Sequence, residues 1–181
     1  MSSGSGNSSG SANTSEMSAK HRKLVYNAID SANAEAMLRA YHARGIDLRY
    51  CSDSRGVSLP SMIAAVHFSR ADVLRVLHEL GVDPNTPHEE DGATALSHAA
   101  TQGRVESLRV LVELGADANK PDREGRTPMY QAACFGHIDA IRVLVELGGD
   151  INAPTNNGVT PVYVAAQEGM VDAIRVLGEL G

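Results

Sequence analysis

The chain repeats itself every 33 residues. GATALSHAATQGRVESLRVLVELGADANKPDRE fills 92–124, GRTPMYQAACFGHIDAIRVLVELGGDINAPTNN fills 125–157, and GVTPVYVAAQEGMVDAIRVLGELG starts at Gly158. One step upstream, SLPSMIAAVHFSRADVLRVLHELGVDPNTPHEED aligns at an offset of 34, with one extra loop residue before Gly92. Further back, LVYNAIDSANAEAMLRAYHARGID aligns loosely at an offset of 36, which sets Leu38-Arg39 on Leu74-Arg75 and Gly45 on Gly81. A unit this short cannot bury its own apolar face. It gains a core only by stacking on its neighbours, so the period points to a solenoid.

Each unit reads as two short helices. Thr94, Thr127 and Thr160 stand where an N-cap hydroxyl accepts an orphan backbone N–H. Pro128 and Pro161 follow at the first helical position, where the missing N–H costs nothing. The pairs Ala99-Ala100, Ala132-Ala133 and Ala165-Ala166 let neighbouring helices approach closely. Gly103, Gly136 and Gly169 then suit a left-handed C′ position, which Ser69 and Asn33 occupy in the two earlier units. The second helix is apolar over most of its circumference, as a helix flanked on both sides requires. Its polar remainder is an acid–Arg–acid stripe: Asp72, Arg75 and Glu79, then Glu106, Arg109 and Glu113, then Asp139, Arg142 and Glu146, then Asp172, Arg175 and Glu179. The plain reading of the stripe is a solvated outer face, with Arg also placed to bridge to acids of the adjacent unit. Asp83-Pro84-Asn85, Asp117-Ala118-Asn119 and Asp150-Ile151-Asn152 supply short polar side chains for tight turns.

The pattern G-x-T-P-x-x-x-A-A-x-x-G, then an apolar helix, then L-G-x-D-x-N resembles the ankyrin-repeat family, over about residues 24–181. The resemblance implies an all-α solenoid of helix-turn-helix units with β-hairpin or loop fingers. It also implies a non-catalytic protein–protein interaction module, an adaptor or scaffold. Asparagines at the place of Asn85, Asn119 and Asn152 are hydroxylated in some family members; a structural role alone accounts for them here. The expected organisation is a disordered Ser/Gly-rich tail at 1–23, a divergent N-terminal capping repeat at 24–57, repeats at 58–91, 92–124 and 125–157, and a partial repeat at 158–181. Leu59-Pro60-Ser61 replaces Thr-Pro, so the 58–91 unit starts differently. Nothing in the last unit covers Val171, Ile174 and Leu177, and Gly178 weakens its helix, so this half-repeat is expected to fray, or the array to continue beyond it.

Composition agrees with thin layers. There is no Trp, with 5 Tyr and 2 Phe, so Ala, Val and Leu must fill the core. Cys51 and Cys134 form no metal-ligand spacing and no disulfide framework, which suits a reduced protein of the cytoplasm or nucleus. No signal peptide and no membrane-length apolar run is visible. No HxxxH, HExxH, GxSxG or phosphate-binding loop occurs, and no base is set beside Cys134, so neither enzyme activity nor a cofactor is expected. Residues 59–181 hold 9 basic and 17 acidic residues, a balance of −8. That charge repels nucleic acid and attracts a partner protein with a basic surface. The chain itself is expected to be a monomer.

Members of this family bind through finger tips and first-helix positions. The tips here are Glu89, Glu90 and Asp91; Arg123, Glu124 and Arg126; and Asn156, Asn157 and Val159. The first-helix positions are His98, Gln131 and Val164. After the Ala pairs come His67 and Phe68, Thr101 and Gln102, Cys134 and Phe135, and Gln167 and Glu168. These positions differ between units while the framework does not, as a site grafted on a common scaffold would. Phe68 and Phe135, the only phenylalanines, are the expected anchors. The alternative function is a regulatory array within a larger enzyme or channel.

Overall fold

The computed structural model describes residues 10–181, with side chains from Ala19 onward. It is a stack of five helix pairs: α1 (Gly10–Asp30) with α2 (Ala34–Ala43), α3 (Ser61–His67) with α4 (Ala71–Glu79), α5 (Ala95–Thr101) with α6 (Val105–Glu113), α7 (Pro128–Cys134) with α8 (Ile138–Glu146), and α9 (Pro161–Gln167) with α10 (Val171–Leu180). Each odd-numbered helix packs on the next odd one and each even-numbered helix on the next even one, which makes two parallel rows. Ala64, Ala65, Ala99, Ala100, Ala132 and Ala133 are fully buried between the rows, where anything larger would force the helices apart.

The caps follow the expected chemistry. The Thr94, Thr127 and Thr160 hydroxyls accept from the N–H groups of Ser97, Tyr130 and Tyr163 at 3.4, 3.3 and 3.4 Å. In α3, Pro60 stands at the N-cap and supplies no side-chain bond. Gly103, Gly136 and Gly169 turn left-handed at φ 64°, 67° and 72°. Ser69 does the same at φ 56°, the only non-glycine to do so among the described residues. Asn33 departs from the expectation: its φ is −103°, because a turn at Ser31 and Asn33 starts α2 directly.

The first finger is a two-stranded antiparallel hairpin, β1 (Tyr50–Ser52) with β2 (Ser58–Pro60), in which Cys51 faces Leu59. Later fingers are tighter turns that keep one closing backbone bond. It runs from the N–H of His88, Asp122 and Thr155 to the carbonyls of Ala93, Arg126 and Val159 at 2.8, 3.1 and 2.9 Å. The finger at His88 is one residue longer, which absorbs the extra residue of that unit.

Helix α1 begins at Gly10, so over 10–23 the structure is helical where composition predicts a structureless tail; residues 1–9 of that tail lie outside the described residues. The physical reason lies downstream. Val25, Ala28 and Ile29 are fully buried against the stack and nucleate the helix. Ala12, Glu16, Met17, Ala19 and Lys20 then let it propagate at low cost.

The charged stripe bridges units. Arg39 reaches Glu79 at 2.6 Å, Arg75 reaches Glu113 at 2.8 Å, Arg109 reaches Glu146 at 2.7 Å and Arg142 reaches Glu179 at 3.6 Å. All eight side chains are solvated, so each pair contributes no more than ~1 kcal/mol.

Candidate functional site

The finger and first-helix positions that vary between units do different work in the structure. Three of the expected tip residues are structural. Arg123 donates to the carbonyls of Glu90 and Glu89, both at 2.7 Å, and so lashes one finger to the preceding one. The Asn156 amide donates to the Arg123 carbonyl at 2.9 Å and repeats the lashing one unit on. Arg126 donates to Asp122 at 2.7 Å and pairs with Glu124 at 3.1 Å. The Asp122 side chain is only 1% exposed. It also accepts the N–H groups of Glu124 and Arg126, so Arg126 neutralises a carboxylate the finger is built around.

What remains free at the tips is acidic. Glu89 and Glu90 are exposed and have no ion-pair partner among the described residues, and the same holds for Glu168 beyond α9. Asp91 accepts from the Ala93 N–H and approaches His88 Nδ1, each at 3.0 Å. Burial pushes its carboxyl up, but the Ala93 N–H and His88 more than offset this and hold it below the usual carboxylate range. Asn157 is exposed, whereas Val159 is half-buried against the core.

Along the first-helix row, Gln131, Cys134, Gln167 and Glu168 are wholly or partly exposed. The Thr101 hydroxyl turns back to the Ser97 carbonyl at 2.9 Å, and Gln102 meets Arg104. Val164 is a correction: it is 3% exposed and belongs to the core, a short apolar side chain packing inward at the place where the longer polar His98 and Gln131 are only half-buried. Phe68 packs edge-on against Tyr26 of α1 at 5.1 Å, so its ring already has an intramolecular partner. Phe135 is different. It is 50% exposed, and the His137 ring lies 6.4 Å away and nearly parallel to it. His137 in turn donates through Nε2–H to the Thr101 carbonyl at 2.9 Å. Tyr163 and Val162 are also well exposed and were not singled out by the repeat pattern. The register of Tyr163 holds Tyr130 and Ser97 in the preceding units, and that variation was the available signal.

Three histidines gather beside this row. His67 Nε2 lies 3.5 Å from His98 Nδ1, and the two rings are 5.4 Å apart. The His88 ring is 6.5 Å from that of His98. Together with Tyr26, Asp53 and Arg55 they line a cavity of about 240 Å³. Burial pushes the His98 imidazole down to about 4, with the neighbouring His67 adding to the effect. Burial, then Arg104, lowers His67 as well. Cys51 is fully buried and Cys134 half-buried; both are free thiols raised above the usual range, chiefly by burial. Among the described residues no helix is long and apolar enough to cross a membrane.

A family model for ankyrin repeats matches the chain in three overlapping copies, over residues 25–122, 61–155 and 116–181. No curated protein matches the chain.

Proposed function

The chain belongs to the ankyrin-repeat family, whose arrays generally serve as protein–protein interaction modules, and on that premise we propose that it is a non-catalytic adaptor or scaffold. It binds a partner protein with a basic surface, through the finger tips and the first-helix row. The observation that carries this reading is the contrast between framework and surface. Caps, Ala pairs and turn glycines recur from unit to unit, while the surface positions change residue: one place holds Phe68, Gln102, Phe135 and Glu168 in successive units, another holds His98, Gln131 and Val164, and the acidic tip Glu89-Glu90 belongs to a single finger. A half-exposed ring together with uncompensated carboxylates suits a partner that presents an apolar pocket and Lys or Arg side chains. The chain acts as a monomer in the cytoplasm or nucleus.

The test is affinity capture with the full chain and two variants. Phe135→Ala, and Glu89→Lys with Glu90→Lys, are expected to lose the captured partner. Arg109→Ala on the outer stripe is expected to retain it. Equal recovery by all of them would show that this surface is not used.

A further inference from the structure

We propose that His67, His88 and His98 form a binding site for a single divalent transition-metal ion of the zinc class, between the second and third helix pairs. It uses His67 and His98 of the first-helix row but does not require that a partner bind there.

The geometry of the first two ligands carries it. Two imidazole nitrogens on one tetrahedral zinc, each at about 2.05 Å, stand about 3.4 Å apart, with ring centres about 5.2 Å apart. His67 Nε2 and His98 Nδ1 are 3.5 Å apart and their rings 5.4 Å apart. Both come from separate units, His67 at the end of α3 and His98 in α5. Helix stacking therefore sets the pair before any ion arrives.

His88 supplies the third nitrogen. Its Nδ1 faces the Asp91 carboxylate at 3.0 Å. That contact places the ring proton on Nδ1 and leaves Nε2 as a bare lone pair. A carboxylate behind an imidazole is the arrangement that orients metal-ligating histidines. The His88 and His98 rings are 6.5 Å apart, so the finger must close by about 1 Å to bring Nε2 into the shell. No group of three His, Cys, Asp or Glu side chains among the described residues stands at metal spacing, so only the His67–His98 pair is preformed and the third ligand requires this closure. His88 sits in the longer finger, whose extra residue gives the loop room to adjust. The cavity of about 240 Å³ in front of the pair leaves space for a water as the fourth ligand, with Asp53 on its wall to accept from it.

One feature limits the affinity. His98 Nε2 is buried with no hydrogen-bond partner. In the metal-free pair this costs little, since the proton sits on Nδ1 and donates to His67. Ligation at Nδ1 moves that proton to Nε2, where nothing accepts it. The site is therefore expected in the micromolar class, not the nanomolar class of closed structural zinc sites.

The experiment titrates Zn²⁺ into the full chain by calorimetry, with Co²⁺ absorption as a second readout. The expected result is one ion per chain, an intense visible Co²⁺ spectrum typical of tetrahedral coordination, and a raised thermal midpoint with Zn²⁺. His67→Ala and His98→Gln should each weaken binding at least about tenfold, and Asp91→Asn by about tenfold through the orientation of His88. His67 is solvent-facing, so its replacement leaves the fold intact even if His98→Gln does not; far-UV circular dichroism checks this. Absence of saturable binding overturns the proposal. So does binding that survives His67→Ala and His98→Gln and is lost instead on replacing the exposed His42 and His78.

Discussion

Asn119 is tied to Gly148 of the next unit: its amide donates to the Gly148 carbonyl at 3.0 Å, while its Oδ1 accepts the Asp150 N–H at 2.6 Å. Asn85 makes the same two bonds to Gly115 and Asp117, both at 2.9 Å. Asn152 makes neither, and only its N–H is used, by Asp150 within the turn. The asparagines therefore hold units together, whereas the aspartates two residues earlier shape each turn. Two bonds at ~1 kcal/mol each make Asn119→Ala and Asn85→Ala destabilising by about 2 kcal/mol, and Asn152→Ala nearly neutral. Urea denaturation checks this. Equal losses at all three sites would assign the asparagines to the turn alone.

Arg126→Ala is expected to cost more than any outer-stripe variant. It removes the cation from a side chain of Asp122 that is 1% exposed, leaving a buried carboxylate with backbone N–H donors only. A fully buried pair broken this way loses 3–5 kcal/mol, but Arg126 is itself 30% exposed and water enters where it leaves, so about 2 kcal/mol is expected. Arg109→Ala, which breaks a solvated pair, should stay below ~1 kcal/mol and shrink further at high salt. Thermal unfolding at two salt concentrations separates the two cases.

Much of this architecture was legible because each signal was local and repeated. The Thr caps, the Ala pairs and the left-handed glycines each depend on a few neighbouring residues. The stripe also disclosed its inter-unit bridges, because Arg75 and Glu113 occupy set places in every repeat. Features that depend on an unrepeated residue across a unit boundary were not legible. Phe68 looks like a free ring until Tyr26 of α1 covers it. Arg123 looks like a tip charge until the preceding finger offers it two carbonyls. His67 and His98 share no motif spacing, and only stacking brings them together. Helix α1 extends into a polar segment because its downstream half is anchored, and no local reading of Ser and Gly discloses that.

Ser69→Gly should stabilise the fold. Ser69 adopts φ 56°, where an L side chain costs ~1–2 kcal/mol, and its counterparts Gly103, Gly136 and Gly169 avoid that cost. Glycine returns part of the gain as unfolded-state entropy, 0.5–1 kcal/mol by rough estimate, so a net gain of about 0.5 kcal/mol is expected. A lower denaturation midpoint in the variant would contradict this.

The two thiols should respond differently to alkylation and to pH. Cys51 is fully buried and its thiol is pushed up to about 12, chiefly by burial. Cys134 is half-buried and raised, again chiefly by burial, with Glu168 adding to it. Only the thiolate reacts, so iodoacetamide at neutral pH should label Cys134 slowly and Cys51 only in denaturant. The rate at Cys134 should rise about tenfold per pH unit and show no plateau near the ordinary thiol value of 9.0. The stability effect follows from the sign of the shift. The folded state holds the Cys51 proton more tightly than the unfolded chain, whose thiol titrates near 9.0. That stabilisation is complete below 9 and is lost as pH climbs toward 12. Wild type should therefore lose stability more steeply than Cys51→Ala between roughly pH 9 and pH 11. Parallel curves for the two proteins would mean that Cys51 ionises as freely in the folded chain as in the unfolded one.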